Sequence, residues 1–316
     1  MNYNTTNIPS LCFFDSIARN QSSVSYQVTV SASVIISILS PIAVAGNTLI
    51  LAAIWKNPSL RTPSYILLCG LAFTDLSTGL ITQPFYVVAE LVCLQEPSKI
   101  QDSLKLLRFA KVVSEGFGTF FNSMTVMLIT MMSIERWLYM TRRSLDTVRA
   151  ACSILTVVVI CPIPIAVLRL LQVLYGTHEL LLNTISFIFL FICFFATSIA
   201  YFKVWRVITH HRQQVQGNAW SQTFGLTAIN LAKYKKSVFS ILLIVMLFYI
   251  SYLPFLVFVG LYISQQNNSE VALAFTFSMI FMFLSSSLNP LLYVWRMNDI
   301  RTGVKQLLRQ LFCQEN

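Results

Sequence analysis

The residues able to do chemistry in this chain are few, and most stand inside apolar stretches. Asp75, in Leu71-Ala72-Phe73-Thr74-Asp75, is a single acid in the middle of one such stretch. An isolated carboxylate in hydrocarbon is costly, so Asp75 needs partners and marks a candidate site. Glu135-Arg136-Trp137 closes another stretch. An Arg there either anchors the helix end by carrying its head to the interface or reaches a protein partner. Proline stands mid-stretch at Pro254, in Phe248-Tyr249-Ile250-Ser251-Tyr252-Leu253-Pro254, and at Pro290, in Asn289-Pro290-Leu291-Leu292-Tyr293. Each removes a backbone donor and permits a kink or hinge. Nothing suggests catalysis: the His (His178, His210, His211) fall in loops and no nucleophile–base pair is visible. The seven Cys have neither CxxC nor His-rich spacing, which points away from a zinc site.

These residues need a frame, and composition says which. The chain has 316 residues, 56 % of them hydrophobic and only 11 % charged, with a mean hydropathy of +0.68. A soluble domain carries about 25 % charged residues. Too few charges remain to cover a water-facing surface, so a soluble enzyme or nucleic-acid module is excluded as a first reading. Apolar stretches fall at 27–55, 63–91, 104–139, 148–171, 180–209, 234–263 and 270–295. Each can cross a bilayer at about 20 residues per span. The third begins with Lys105, Arg108 and Lys111, but Phe117 to Ile134 is nearly uncharged. The expected fold is all-α: a seven-transmembrane helix bundle over 26–296, an N-terminal segment 1–25, and a tail 297–316. In the tail, Ile300, Val304, Leu307, Leu308 and Leu311 recur at helical spacing with bases between them. This predicts a short amphipathic helix on the membrane surface. Residues 1–25 show no apolar run before a small-residue cleavage site, so the first span is expected to direct its own insertion.

Charge sets the expected orientation. The segments after spans 1, 3, 5 and 7 hold 16 of the 22 Lys and Arg against four acids (Glu135, Asp146, Asp299, Glu315). The other side has six bases, among them Lys111 and Arg169. The net charge of +10 therefore collects on one face, which should be cytoplasmic, rather than signalling nucleic acid. The N-terminus is then extracellular and the protein resides in the plasma membrane. The sequons at Asn4, Asn20 and Asn267 all fall on the outer side and are candidate glycosylation sites. Cys12 and Cys93 are the outer cysteines; they are expected to pair, with two free thiols as the alternative. Cys313 follows Leu307, Leu308, Leu311 and Phe312 at the inner surface, which fits palmitoylation in a membrane-lipid setting.

Gly46-Asn47 in span 1, Asp75 in span 2, Glu135-Arg136-Trp137 ending span 3, Tyr201 in span 5, the Pro254 segment in span 6 and Asn289-Pro290-Leu291-Leu292-Tyr293 in span 7 occur in that order. Order and spacing together resemble the rhodopsin-like family of G protein-coupled receptors over essentially the whole chain. The resemblance implies an extracellular small-molecule, lipid or peptide ligand and a heterotrimeric G protein as partners. It implies activation roles for Glu135, Arg136, Tyr201, Tyr252, Pro254, Asn289, Pro290 and Tyr293, with Arg136 contacting the G protein. It places Asn47, Thr125, Ser285, Ser286 and Asn289 around Asp75, as in the family's sodium site. These are oxygen donors suited to a hard cation; the alternative is an Asp that ties three helices without an ion. No other cofactor is expected.

For the ligand pocket the resemblance implies Phe85, Tyr86, Glu115, Gly118, Thr119, Tyr252, Phe255, Val259, Phe275 and Met279, an apolar, aromatic lining with few polar anchors. The alternative is simple helix packing. The amine receptors carry an Asp at the position of Gly118, which argues against a monoamine, and opsins carry a Lys where Phe283 stands. Glu115 is either a ligand contact or an i,i+4 partner of Lys111.

The departures are specific. The family's usual Cys at the outer end of span 3 is Lys111, and loop 175–182 has no Cys. Span 5 reads Ile192-Cys193-Phe194 without the usual Pro, the Trp expected two residues before Pro254 is Tyr252, and span 4 lacks its Trp. Loss of the span 3 Cys and the span 5 Pro resembles the melanocortin, cannabinoid and lysophospholipid receptor group. Family members often restrain the span 3 Arg with an acid at the base of span 6. Here that position is Tyr234, between Lys233 and Lys235, and there is no acid from 180 to 269. Only Glu135 is left, as an exposed pair worth about 0–1 kcal/mol, so measurable ligand-free signalling is expected. Two other classes stay open: a transporter or channel, although no repeat or charged pathway is visible, and a ligandless heptahelical partner of other receptors.

Overall fold

A computed structural model describes residues 12, 23–60, 62–95, 97–141, 148–176, 179–217, 224–265 and 269–312, without the side chains of 211–241 and of 23–25, 59, 97–98, 101, 139, 148, 179, 208, 244, 269, 272 and 311–312. Seven of its helical stretches are long and apolar enough to cross a membrane. Span 1 is Ser23–Lys56, span 3 Leu104–Met140, span 5 Glu179–Gly217, span 6 Phe224–Ser264 and span 7 Ser269–Arg296. Span 2 is built from Pro63–Ser77, a π turn Thr78–Thr82, and Gln83–Cys93. The turn has a local cause. Pro84 has no N–H to give, and the Gln83 N–H reaches back five residues to Thr78 O. Span 4 is split in two, Val148–Ile160 and Ile163–Tyr175, at Cys161-Pro162. Gly176 ends it at φ 69°, a left-handed cap that glycine adopts without a Cβ clash, and its N–H meets Gln172 O at 2.7 Å.

Burial separates the spans by place. Two-thirds of span 3's most apolar window is buried (67 %), against 22 % in span 4, so span 3 is the central post and span 4 lies at the rim. The rim exposes Trp205, Phe202, Ile192, Val157 and Ile160, the surface that hydrocarbon covers. Leu67, Leu71, Leu128, Phe248, Phe283 and Tyr293 form the fully buried interior. Gly46 allows spans 1 and 7 to meet: a Cβ there would stand 2.9 Å from the Pro290 ring.

Two further elements attach to the bundle. The predicted terminal helix exists, Asn298–Phe312. Its apolar face buries Ile300, Val304 and Leu307 against the bundle beside span 1. Tyr65 donates to Asp299 (3.0 Å) and Lys56 to Gln310 (3.2 Å) across that joint. Between spans 2 and 3 a short helix, Pro97–Asp102, drops Ile100 into a second small core with Leu107, Ala89 and Cys93. In that core a disulfide joins Cys12 to Cys93.

Candidate functional site

Span 3 connects three polar sites: a network at its middle, an ion pair at its Arg136 end, and a cavity at its Lys111 end.

At mid-bundle Asp75 is completely buried. Its Oδ2 accepts from Asn289 Nδ2 at 2.8 Å. Asn47 Nδ2 donates to Ala43 O (2.8 Å) and to Ser286 O (3.0 Å), tying span 1 to span 7. Ser287 adds a bond to Leu39 O at 2.9 Å. Two of the expected residues donate their hydroxyl protons to other groups. Thr125 donates to Thr74 (2.9 Å), not to Asp75, and Ser285 donates to Met282 O (2.9 Å). Thr74, a buried partner one residue before the acid, carried no signal in the sequence beyond its place in the motif. Asp75 Oδ1 and Asn47 Oδ1 are both buried without a donor. Two unpartnered buried oxygens, one from a carboxylate, are the donor type that a hard cation takes, and buried oxygens are otherwise satisfied.

At the second site Arg136 Nε stands 3.3 Å from Glu135 Oε2. The sequence suggests an exposed pair. Instead the Glu135 side chain is only 5 % exposed, and its Oε1 accepts from Ser64 Oγ of span 2 at 3.0 Å. Burial strengthens a charge pair that has hydrogen bonds on its remaining lone pairs. Tyr293 is fully buried and Tyr201 half-buried, and the hydroxyls of both are buried without a partner. Lys203 of span 5 lies over the Trp137 ring at 4.0 Å, a cation–π contact on the far side of the motif. Pro254 and Pro290 both lie inside unbroken helices. The Tyr234 side chain, Cys313 and the sequons Asn4, Asn20 and Asn267 lie outside the described residues.

The third site is a cavity of about 250 Å³ among spans 2 to 7. Tyr86, Glu115, Gly118, Thr119, Tyr252, Phe255, Val259, Phe275 and Met279 all line it. Phe85 does not: it packs edge-to-face on Phe109, ring centroids 5.5 Å apart, against the small core around Cys93. One residue along a helix turns the side chain about a quarter turn away, which is the whole difference between Phe85 and Tyr86. Tyr252 closes the floor by donating to Asn122 Oδ1 at 3.3 Å.

The wall is more polar than the sequence suggests. Glu90, Lys111, Ser114, Asn122, Arg169, Gln172 and Asn183 line it as well. Lys111 is paired, but across helices: its Nζ lies 3.3 Å from Glu90 Oε1, so the acid it meets is Glu90 and not Glu115. Where the family resemblance leads one to look for a Cys at the end of span 3, this chain has an ion pair joining spans 2 and 3. Arg169 donates to Gln172 Oε1 at 2.6 Å and to Asn183 Oδ1 at 2.9 Å. Glu90 and Arg169 are the residues that sequence reasoning missed. Both stand near span ends, where a charge reads as an interface residue.

Residues 46–293 match the model of the 7 transmembrane receptor (rhodopsin family). The histamine H2 receptor of Canis lupus familiaris is 24 % identical, over 89 % of this chain and 80 % of that receptor. Its counterpart from Cavia porcellus is 35 % identical over 100 residues, 32 % of this chain and a quarter (25 %) of that receptor's length. Squid rhodopsin superposes with a TM-score of 0.71, covering 91 % of this chain and 87 % of that one at 19 % identity.

Proposed function

Because the chain belongs to the rhodopsin family of seven-transmembrane receptors, and is thus a multi-pass membrane protein of the G protein-coupled class, we propose that it binds its ligand in the cavity at the Lys111 end and hands the signal to a heterotrimeric G protein at the Arg136 end. One observation carries this reading. A single central helix bears the cavity wall at Glu115, Gly118 and Thr119 and the pair of buried Glu135 and half-buried Arg136 at its other end. A ligand that prefers one packing of the cavity shifts the population at the far end by as much as its differential affinity.

In this reading the Lys111 end is extracellular, in keeping with the excess of Lys and Arg at the other end. A disulfide at Cys12–Cys93 then sits on the oxidising side. Asp75, Asn47, Ser286 and Asn289 would hold a sodium ion, which would supply a positive charge for the unpartnered oxygens. Gly118 offers no carboxylate to an amine, so the histamine relatives do not name the ligand.

The test uses the full-length receptor in nanodiscs with purified G protein. Ligand-free nucleotide exchange is expected above the receptor-free rate, and Arg136→Ala should bring it to that rate. Exchange equal to the receptor-free rate in the wild type, and unmoved by any extracellular extract, would defeat the reading.

A further inference from the structure

Arg169 is the cation in the cavity wall for which no acid partner is seen among the described residues, as Glu115 is the acid without a cation there. Lys111 is neutralised by Glu90 at 3.3 Å. No carboxylate of the described residues comes within 4.0 Å of Arg169. Its guanidinium is aimed by two neutral amides, Gln172 of its own helix and Asn183 of span 5. These fix direction without removing charge. A guanidinium has five donors in a rigid fork, and the two amides occupy two of them. Holding such a group half-buried with no counter-ion among the described residues is unfavourable in isolation, and a pre-aimed fork is the geometry that carboxylate and phosphate recognise.

The rest of the cavity narrows the occupant. Below the polar rim the lining is Phe187, Leu190, Phe255, Val259, Met279 and Phe283, which calls for an apolar body. A volume of about 250 Å³ lies just under the usual range of about 300–1,000 Å³ for ligand sites, which calls for a short one. Glu115 also lines the wall and has no cation within 4.0 Å among the described residues. Its carboxylate repels a second negative charge.

We propose that the ligand is a short amphiphile with one anionic group, and that Arg169 binds that group while the aromatic floor takes the chain. Gln172 and Asn183 are positioning residues that aim the guanidinium. The proposal rests on the cavity being the ligand site. A carboxylate and a phosphate share the required chemistry, and Glu115 favours the singly charged carboxylate.

The experiment measures thermal protection of the full-length protein in phosphatidylcholine nanodiscs by decanoate, methyl decanoate, decylamine and monodecyl phosphate. Decanoate is expected to protect saturably at a concentration at least about tenfold lower than its methyl ester or the amine, a factor of ten being 1.4 kcal/mol. Arg169→Gln should erase that preference while leaving the ester's effect in place, which also shows that the variant folds. Arg169→Lys should retain part of it. Glu115→Gln should improve monodecyl phosphate several-fold and decanoate less. Equal protection by acid and ester, a preference that survives Arg169→Gln, or no saturable protection by either anion overturns the proposal. Nucleotide exchange separates this from the receptor reading. Arg169-dependent binding by a protein that never stimulates a G protein keeps the site and rejects the receptor reading. Robust Arg136-dependent exchange without anion preference does the reverse.

Discussion

At one end of span 3 a basic side chain is paired with its own neighbour, Arg136 with Glu135, and the pair is braced from span 2 by Ser64. At the other end Lys111 is paired across the bundle with Glu90 of span 2, a few residues from the Cys12–Cys93 disulfide. The first arrangement leaves spans 5 and 6 without a described hold on the Arg, so they can move without breaking a charge pair. The second fixes spans 2 and 3 together. A receptor needs this asymmetry: a stiff rim that defines a ligand cavity, and a far end whose restraint is local and breakable. Two-state elements respond when a small bias is applied to a pair that is not welded to its surroundings.

The largest effect is expected from loosening the stiff end. Cys93→Ser removes a cross-link between positions 81 apart, and such a loss costs about 2–4 kcal/mol. Melting of the purified receptor should fall clearly, and non-reducing peptide mapping of the wild type should recover the Cys12–Cys93 pair. Both thiols alkylating freely in the wild type would contradict it. Next in size is Glu90→Gln, which takes the paired carboxylate from the Lys111 ammonium in the cavity wall for about 1–3 kcal/mol. Adding Lys111→Met should restore much of that loss. If the double variant melts no higher than Glu90→Gln alone, the pair is not what joins spans 2 and 3 there.

The loose end should answer in signalling rather than in melting. Glu135→Gln keeps an acceptor for Ser64 and removes the charge that holds Arg136. Ligand-free nucleotide exchange should rise, by up to about tenfold if the restraint is worth about 1.4 kcal/mol. Ser64→Ala should raise it by less. Exchange that falls in both variants would mean that Glu135 positions Arg136 for the G protein instead of holding it back.

What the sequence disclosed follows the same division. The spans were legible because hydrocarbon demands about 20 apolar residues each, and Arg136, Asn289 and Tyr293 because their motifs are contiguous. The depth at which Glu135 is buried was not, since it depends on Ser64, 71 residues away. The cavity was half legible. Tyr86, Phe255 and Met279 follow from the family resemblance. Arg169 does not, because the break at Cys161-Pro162 resets the helical phase, so the face of Ile163–Tyr175 cannot be extrapolated from Val148–Ile160. The π turn before Gln83 does the same in span 2, adding rotation between Asp75 and the cavity wall at Tyr86 and Glu90.

Between the two ends stands Asp75, and it tests whether they communicate. Its Oδ2 is bonded to Asn289 and its Oδ1 is open, with Asn47 Oδ1 also open. A cation taken there binds the resting packing of spans 1, 2 and 7 and must stabilise it by mass action. At a sodium concentration about five times the dissociation constant the gain is about 1 kcal/mol. Replacing potassium by sodium should therefore raise the melting temperature and lower ligand-free exchange a few-fold. Asp75→Asn keeps the shape and removes the charge, so both sodium effects should vanish while the variant still folds. Melting that shifts with sodium while exchange does not would leave the ion a local brace, and the two ends of span 3 would be uncoupled through the middle. Sodium effects of equal size in Asp75→Asn would leave the carboxylate as a hydrogen-bonded tie among helices and nothing more.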